Sequence, residues 1–486
     1  MSQIKIVATI GPGSKSAEVI RELVEAGMSV ARLNGAHGDL QWHSEAIDLI
    51  REVADDVPIL LDLPGGKVRV GDLQHELSFG AGDRVIFTTS PDRSDSVVKV
   101  PVGGAALHES LAVGDELSAD DGALSFEVVE ITGEDVVCRA RCAGTLQSRK
   151  GISLPSSSQA GVLTDRDREI IDFARGKGVD FVGVSFVSSA EHVERVRAAT
   201  GEGGPRIIAK IENQDGLDNV EQIAAAADGL LVDRGDLSVQ TSLETLIMSQ
   251  KRIVEVARVA AKPVIIATEM LHSMIENPTP TKAEVCDISN AVLDGASALM
   301  LSGETAVGKF PVQAVSIMRR IAAAASDHDQ VNLDRQADGR THGIPPVMAD
   351  AVSLITRRIP VTKIVAITVG GYAARMVAAS RPRQPILAVS NDPATVRSLN
   401  LLPGTEGVHV DIPFLRSSTD HIAQCLEILW RRGKLVDDDL VLVASLGYPR
   451  SGNRMNMIQM HSIADLAEAL QWKADDEAPK TKAGPA

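Results

Sequence analysis

Arg206-Ile-Ile-Ala-Lys-Ile-Glu212 and Gly229-Leu-Leu-Val-Asp-Arg-Gly-Asp236 decide the fold. Each is a short apolar, β-branched run that ends on residues able to do chemistry, and each leads into a loop and an amphipathic stretch with helical spacing. Working outward, the same unit recurs in Lys5-Ile-Val-Ala-Thr-Ile10, Ser29-Val-Ala-Arg-Leu-Asn34, Pro58-Ile-Leu-Leu-Asp62, Phe181-Val-Gly-Val-Ser-Phe186, Pro263-Val-Ile-Ile-Ala-Thr268 and Ala298-Leu-Met-Leu-Ser-Gly-Glu304. Eight buried strands alternating with helices predict an α/β chain built on a (β/α)8 TIM barrel, with its site at the C-terminal strand ends.

Between the third and fourth runs the pattern changes to short alternating segments with turn signals. Examples are Ala81-Gly-Asp-Arg-Val-Ile-Phe87, Asp120-Asp-Gly-Ala-Leu-Ser-Phe126 and Asp135-Val-Val-Cys-Arg-Ala140. Residues 71–154 are therefore expected to form an inserted β-barrel domain. What remains, 1–70 and 155–340, is close to the ~250 residues typical of such a catalytic barrel. After the polar stretch Ser326–Asp338 the strand-helix rhythm resumes at Lys363–Thr368, Pro385–Ser390, Val408–Ile412 and Leu440–Ser445, predicting a C-terminal α/β domain over 341–486. Its tail, Asp475–Ala486, has no apolar period and is expected to be frayed.

Of the 486 residues, 44% are hydrophobic and 23% charged, the profile of a globular chain with a sizeable core rather than a disordered or fibrous one. The net charge of −16 would repel a nucleic-acid backbone, and 3% aromatics offer few surfaces for base stacking, so no nucleic-acid partner is expected. Apolar stretches such as Lys262–Thr268 fall well short of the ~18 residues of a membrane span, and Met1-Ser-Gln-Ile-Lys5 does not read as a signal peptide. A cytoplasmic protein with no membrane partner is expected. Cys138, Cys142, Cys286 and Cys425 form no Cys-x-x-Cys pair, which argues against a disulfide framework or zinc site and for small buried hydrophobes.

Lys210 and Glu212 stand two apart on a strand, so both point to the same face at the barrel mouth. Asp236, at the end of the next strand and close to a helix start, supplies a second carboxylate. Together Glu212 and Asp236 make a hard-oxygen site suited to Mg²⁺ or Mn²⁺. Arg32 ends the second strand and adds a fork that fits phosphate. Any one of these residues also reads as a salt bridge at a barrel rim; the set at matching strand ends points to a site.

Thr9-Ile-Gly-Pro12, Arg32-Leu-Asn34 with His37-Gly38, Lys210-Ile-Glu-Asn-Gln-Asp-Gly216, Arg234-Gly-Asp-Leu237, Ala267-Thr268 with Met270-Leu271, and Leu301-Ser-Gly-Glu-Thr-Ala306 carry a resemblance to the pyruvate kinase family over nearly the whole chain. The resemblance implies transfer of the phosphoryl group of phosphoenolpyruvate to ADP, giving pyruvate and ATP in glycolysis, in a homotetramer. It implies that Glu212 and Asp236 ligate the divalent ion, that Lys210 stabilises the phosphoryl group in flight, and that Arg32 holds it. The backbone at Gly235-Asp236 and the Thr268 hydroxyl would receive the substrate carboxylate, with Thr268 also on the proton relay. By sequence alone a threonine at a strand end reads as structural, so that role rests on the resemblance. Asn34, Asp62, Arg69 and Ser185 match further active-site positions, while Pro12, His37 and Lys150, with Asn34 beside them, match nucleotide contacts.

The chain also departs from the family pattern. Asn34-Gly-Ala-His-Gly38 lacks a hydroxyl at Ala36 expected near a bound potassium ion, and Asp62-Leu-Pro-Gly-Gly-Lys-Val-Arg69 puts Leu63 and Lys67 where the family has an oxygen ligand and a glutamate. Lys67 is therefore expected to replace the cation, making K⁺ unnecessary, although a solvent-exposed lysine on the hinge fits the same residue. Val307 replaces a lysine that meets nucleotide phosphates, with Lys309 two positions on, and Glu269, Ser238 and Gln240 are further changes. In the C-terminal domain Thr368-Val-Gly-Gly-Tyr-Ala-Ala374 has lost most donors of the family's effector-phosphate loop, leaving Arg450 and Arg454 as effector ligands or a solvated basic turn. Alternatives to the kinase are a paralogue with altered chemistry, a divalent-metal lyase or aldolase acting on a 2-oxoacid, and a non-catalytic metabolite sensor. An inserted lid favours the kinase, which must exclude water from the transferring phosphoryl group.

Overall fold

In a computed structural model, residues 4–66, 68–89, 99–103, 107–120, 122–148, 150–153, 163–329, 344–414, 418–445 and 455–472 are described. The described residues separate into two compact units, one over Ile4–Ser326 and one from Asp327 to Trp472.

In the first unit, the strands Lys5–Thr9, Val30–Asn34, Ile59–Asp62, Phe181–Val184, Arg206–Ile211, Gly229–Asp233, Val264–Ala267 and Ala298–Leu301 close into one parallel barrel. The expected runs are longer than these strands. Ser185, Glu212 and Thr268 lie just beyond the last paired residues, because their side chains belong to the mouth and their backbones turn into the following loops. Gly229–Asp233 likewise stops three residues early, and Arg234–Gln240 is already helical. Valine, isoleucine and leucine fill the barrel because both faces of each strand are covered, so the runs are continuous rather than alternating. Ser16, Asp39, Ser189 and Thr281 accept amide hydrogen bonds at the starts of surrounding helices.

A second closed barrel follows the third strand. Its strands are Val68–Val70, Arg84–Thr88, Lys99–Gly103, Glu116–Ala119, Leu124–Thr132, Asp135–Ala140 and Gly151–Ser153, with Leu77–Phe79 and Gly144–Leu146 paired beside it. Alternation shows in Leu124–Thr132, where Leu124, Phe126 and Val128 point inward. Phe126 meets Phe87 edge to face at 5.2 Å. Gly151–Ser153 packs against the helix Arg234–Gln240, so the second barrel touches an element of the candidate site.

The second unit holds a five-stranded sheet in the order Thr405–His409, Ile386–Ser390, Lys363–Ile367, Leu440–Ser445, Met457–Ser462; the first four are parallel and the last antiparallel. The expected strand Val408–Ile412 is shifted to Thr405–His409. Pairing of Ile386 with Thr405 sets this register, and the strand's Gly407 lets the backbone lie against the carbonyl of Val396. The antiparallel edge strand Met457–Ser462 is missed by the sequence reading because it is half-exposed and lacks a β-branched run.

The cysteines correct an expectation: Cys138 and Cys425 are buried, with thiols pushed up to about 12 by burial, but Cys142 is only half-buried and Cys286 is exposed. Lys67, Arg450, Arg454 and the tail Asp475–Ala486 lie outside the described residues. Among the described residues no helix is long and apolar enough to cross a membrane.

Candidate active site

Lys210 is the penultimate residue of its strand and Glu212 the first beyond it, and the two side chains meet at the barrel mouth as their spacing predicts. Lys210 Nζ lies 2.6 Å from Glu212 Oε1, 3.6 Å from Asp233 Oδ2 and 3.9 Å from Asp62 Oδ2, and donates to Ser185 Oγ at 3.2 Å. Burial alone would pull the Lys210 ammonium down, but Glu212, then Asp62 and Asp233, outweigh it and hold the pKa above its usual value. Burial raises the Glu212 carboxyl; Lys210 opposes this, and the charges of Asp233 and Asp236 add to it. Glu212 Oε2 accepts the Phe186 amide at 2.7 Å, and the buried Oε1 is engaged by the Lys210 ammonium at 2.6 Å.

Asp233 closes the next strand and Asp236 sits in the first turn of the helix Arg234–Gln240. Glu212, Asp233 and Asp236 each present a carboxylate oxygen, all within 4.8 Å of one another. An oxygen-only donor set of three carboxylates this close together fits a hard divalent cation such as Mg²⁺ or Mn²⁺. The structure thus brings the expected pair together and adds Asp233, which the sequence reading passed over. Its signal was an aspartate at a strand's last position, three residues before Asp236.

Arg32, expected to end its strand, is instead the middle residue of Val30–Asn34, buried and with its fork engaged. Nε and Nη2 reach Asp62 Oδ2 at 3.0 and 2.8 Å, and Nη1 donates to Thr9 Oγ1 at 3.0 Å. Asp62 fits there because residue 183 is glycine: a Cβ would lie 2.1 Å from Asp62 Oδ1. Thr268 has φ +70°, a conformation β-branched residues rarely adopt and one that recurs at functional sites. Its Oγ1 accepts the Gly235 amide at 2.9 Å and donates to Ala267 O at 2.6 Å, while Arg234 Nη2 donates to Thr268 O at 2.6 Å. The Gly235 amide and the Thr268 hydroxyl, both named for the substrate carboxylate, are therefore bonded to each other.

Around this centre, Ser185 Oγ donates to Leu63 O at 2.9 Å, and Asn34 Oδ1 accepts the Ala36 amide at 3.2 Å. The His37 imidazole is held below its usual pKa by partial burial, then by Arg69 and Arg32, which places those guanidinium groups near it. Pro12 is exposed beyond the first strand. Lys150 pairs with Asp120 at 2.7 Å in the second barrel. Lys309 is turned to solvent in a 2.5 Å pair with Glu276.

Comparison with known proteins identifies the family. A family model described as pyruvate kinase, barrel domain, matches residues 1–315, and one described as pyruvate kinase, alpha/beta domain, matches residues 347–461. A pyruvate kinase of Mycobacterium intracellulare is 39% identical over 472 residues, spanning 95% of this chain and 98% of that protein. One from Mycobacterium tuberculosis strain H37Rv is 38% identical over 95% of this chain and 98% of its own. The crystal structure of a pyruvate kinase from Cryptosporidium parvum superposes with a TM-score of 0.84 at 31% identity, covering 95% of this chain and 96% of that one. With both domain models matched and relatives alike from end to end, the chain belongs to the pyruvate kinase family of phosphotransferases.

Proposed function

We propose that the protein transfers the phosphoryl group of phosphoenolpyruvate to ADP in glycolysis, in the cytoplasm and as a homotetramer. The observation that carries this reading is the Lys210 ammonium, buried and fixed beside three carboxylates at the barrel mouth. The bond between phosphorus and the enol oxygen breaks, one to a terminal β-phosphate oxygen of ADP forms, and C3 of the enolate takes up one proton.

Phosphoryl transfer needs positioning and charge neutralisation more than covalent help from the protein. Lys210 neutralises charge on the moving phosphoryl group, and Arg32, oriented by Asp62, holds it in line. Glu212 and Asp236 hold the divalent cation, Mg²⁺ or Mn²⁺, which supplies positive charge to substrate oxygens. The Gly235 and Asp236 backbone and the Thr268 hydroxyl orient the substrate carboxylate once the internal Gly235–Thr268 bond opens, and Thr268 lies on the proton's path. Ser185 and Arg69 complete the phosphoenolpyruvate side, while Pro12, Asn34, His37 and Lys150 face the nucleotide. Residues 71–154 serve as a lid that excludes water, 1–70 with 155–340 as the catalytic domain, and 341–486 as a regulatory-type domain.

We further propose independence from K⁺. Ala36 has no hydroxyl to donate a lone pair, Leu63 is a buried apolar side chain, and an ammonium from Lys67 repels a monovalent cation. A coupled assay with phosphoenolpyruvate, ADP and Mg²⁺ tests the whole reading: pyruvate formation is expected, and no turnover overturns it. Titrating potassium chloride against tetramethylammonium chloride tests the second part; a several-fold activation specific to potassium overturns K⁺ independence alone.

A further inference from the structure

We propose that Asp233 is a direct third carboxylate ligand of the divalent cation, an inference that rests on the metal-dependent reading above. Asp233 occupies the N-cap position of the helix Arg234–Gln240, where an aspartate side chain would ordinarily accept an amide of the first turn, yet it accepts none. It is 8% exposed, and no hydrogen bond from the described residues reaches its carboxylate. Its nearest cation, Lys210 Nζ, stands 3.6 Å away and is drawn to Glu212 at 2.6 Å. Arg32 offers nothing to Asp233, being bonded to Asp62 and Thr9.

A carboxylate this buried is stable only if something compensates it. Its oxygen lies within 4.8 Å of those of Glu212 and Asp236. A cation placed among these three oxygens would compensate Asp233, which accepts no amide from its own helix. The ion is thus held by the chain itself before any substrate arrives. The competing assignment makes Asp233 only a distant ion-pair partner of Lys210.

Mn²⁺ titrated into the full-length, substrate-free protein separates the two. Free Mn²⁺ is followed by electron paramagnetic resonance, and the water molecules on the bound ion are counted by proton relaxation. In Asp233→Ala, affinity is expected to fall about tenfold or more and the bound ion to gain one water. An unchanged water count overturns the proposal, whether affinity is unchanged or has fallen through loss of distant charge alone. Glu212→Gln, measured in parallel, distinguishes the two failures. If it weakens Mn²⁺ binding while Asp233→Ala does not, only the role of Asp233 falls; if neither variant alters binding, the metal site itself is misassigned. Because no substrate is present, both results are independent of whether the enzyme turns over phosphoenolpyruvate.

Discussion

Arg32 commits two nitrogens, Nε at 3.0 Å and Nη2 at 2.8 Å, to the same oxygen of Asp62. The other oxygen, Oδ1, is buried without a hydrogen bond beside Gly183. Asp62 therefore aims the guanidinium rather than merely neutralising it. Removing one member of a buried pair leaves the other charge uncompensated. Asp62→Ala is expected to lower stability by about 3 kcal/mol or more in urea unfolding and to raise KM for phosphoenolpyruvate. Gly183→Ala should act in the same direction, because the new methyl displaces Asp62. An unchanged KM in both variants would show that Arg32 holds its pose unaided.

Lys210→Met should leave the fold intact by circular dichroism and reduce kcat about 10²–10³-fold at saturating Mg²⁺, because a charge aimed at the moving phosphoryl group is lost while the carboxylates remain. Equal kcat in variant and parent would remove Lys210 from the chemistry.

Thr268 combines a hydrogen bond to the Gly235 amide with a φ of +70°. Substitution by alanine removes the bond and keeps the strain, whereas glycine removes both. Thr268→Ala is expected to be destabilised by about 1–2 kcal/mol, and Thr268→Gly to be about 1 kcal/mol more stable than the alanine variant. Both should lose activity. The reverse order of melting temperatures would mean that the backbone there is unstrained.

His192 packs in the mouth-side cavity with Asp167, Ser185 and Phe186, and its Nδ1 is buried without a hydrogen bond. Burial, assisted by Arg195 and opposed by Asp167, lowers its pKa to about 4. The folded state therefore keeps the ring neutral while the unfolded chain, titrating near ~6.5, takes up a proton. This contribution is full above pH ~6.5 and is lost as the pH falls from there toward 4, by about 3 kcal/mol at most. Melting temperature measured over that window should fall less steeply for His192→Gln than for the parent; parallel curves would exclude the imidazole.

In the second unit the loop Thr368–Ala374 presents buried Thr368, glycines and Tyr372, and the nearby Arg375 donates to the Gly370 carbonyl at 3.2 Å. With Thr368 buried and no lysine or arginine within the loop, fructose 1,6-bisphosphate is expected not to activate. A leftward shift of the phosphoenolpyruvate saturation curve on adding it would contradict this.

The eight-fold strand-helix alternation was legible in the chain because both-face burial demands continuous apolar runs, and an interruption of period two betrays an inserted barrel. The Lys210–Glu212 approach was legible too, since residues two apart on a strand share a face whatever surrounds them. Other features were not local. Whether Arg32 meets a phosphate or Asp62 depends on two strands 30 residues apart and on the space left by Gly183. Asp233 carries no local signal beyond its strand-end position until closure of the barrel brings its oxygen within 4.8 Å of those of Glu212 and Asp236. The register at Thr405–His409 is likewise decided by a neighbouring strand, because the flanking valines fit a period of two in either placement. Local spacing determined which side chains could face the mouth; only the packed tertiary structure decided which of them compensate one another, because burial makes each charge depend on partners distant in sequence.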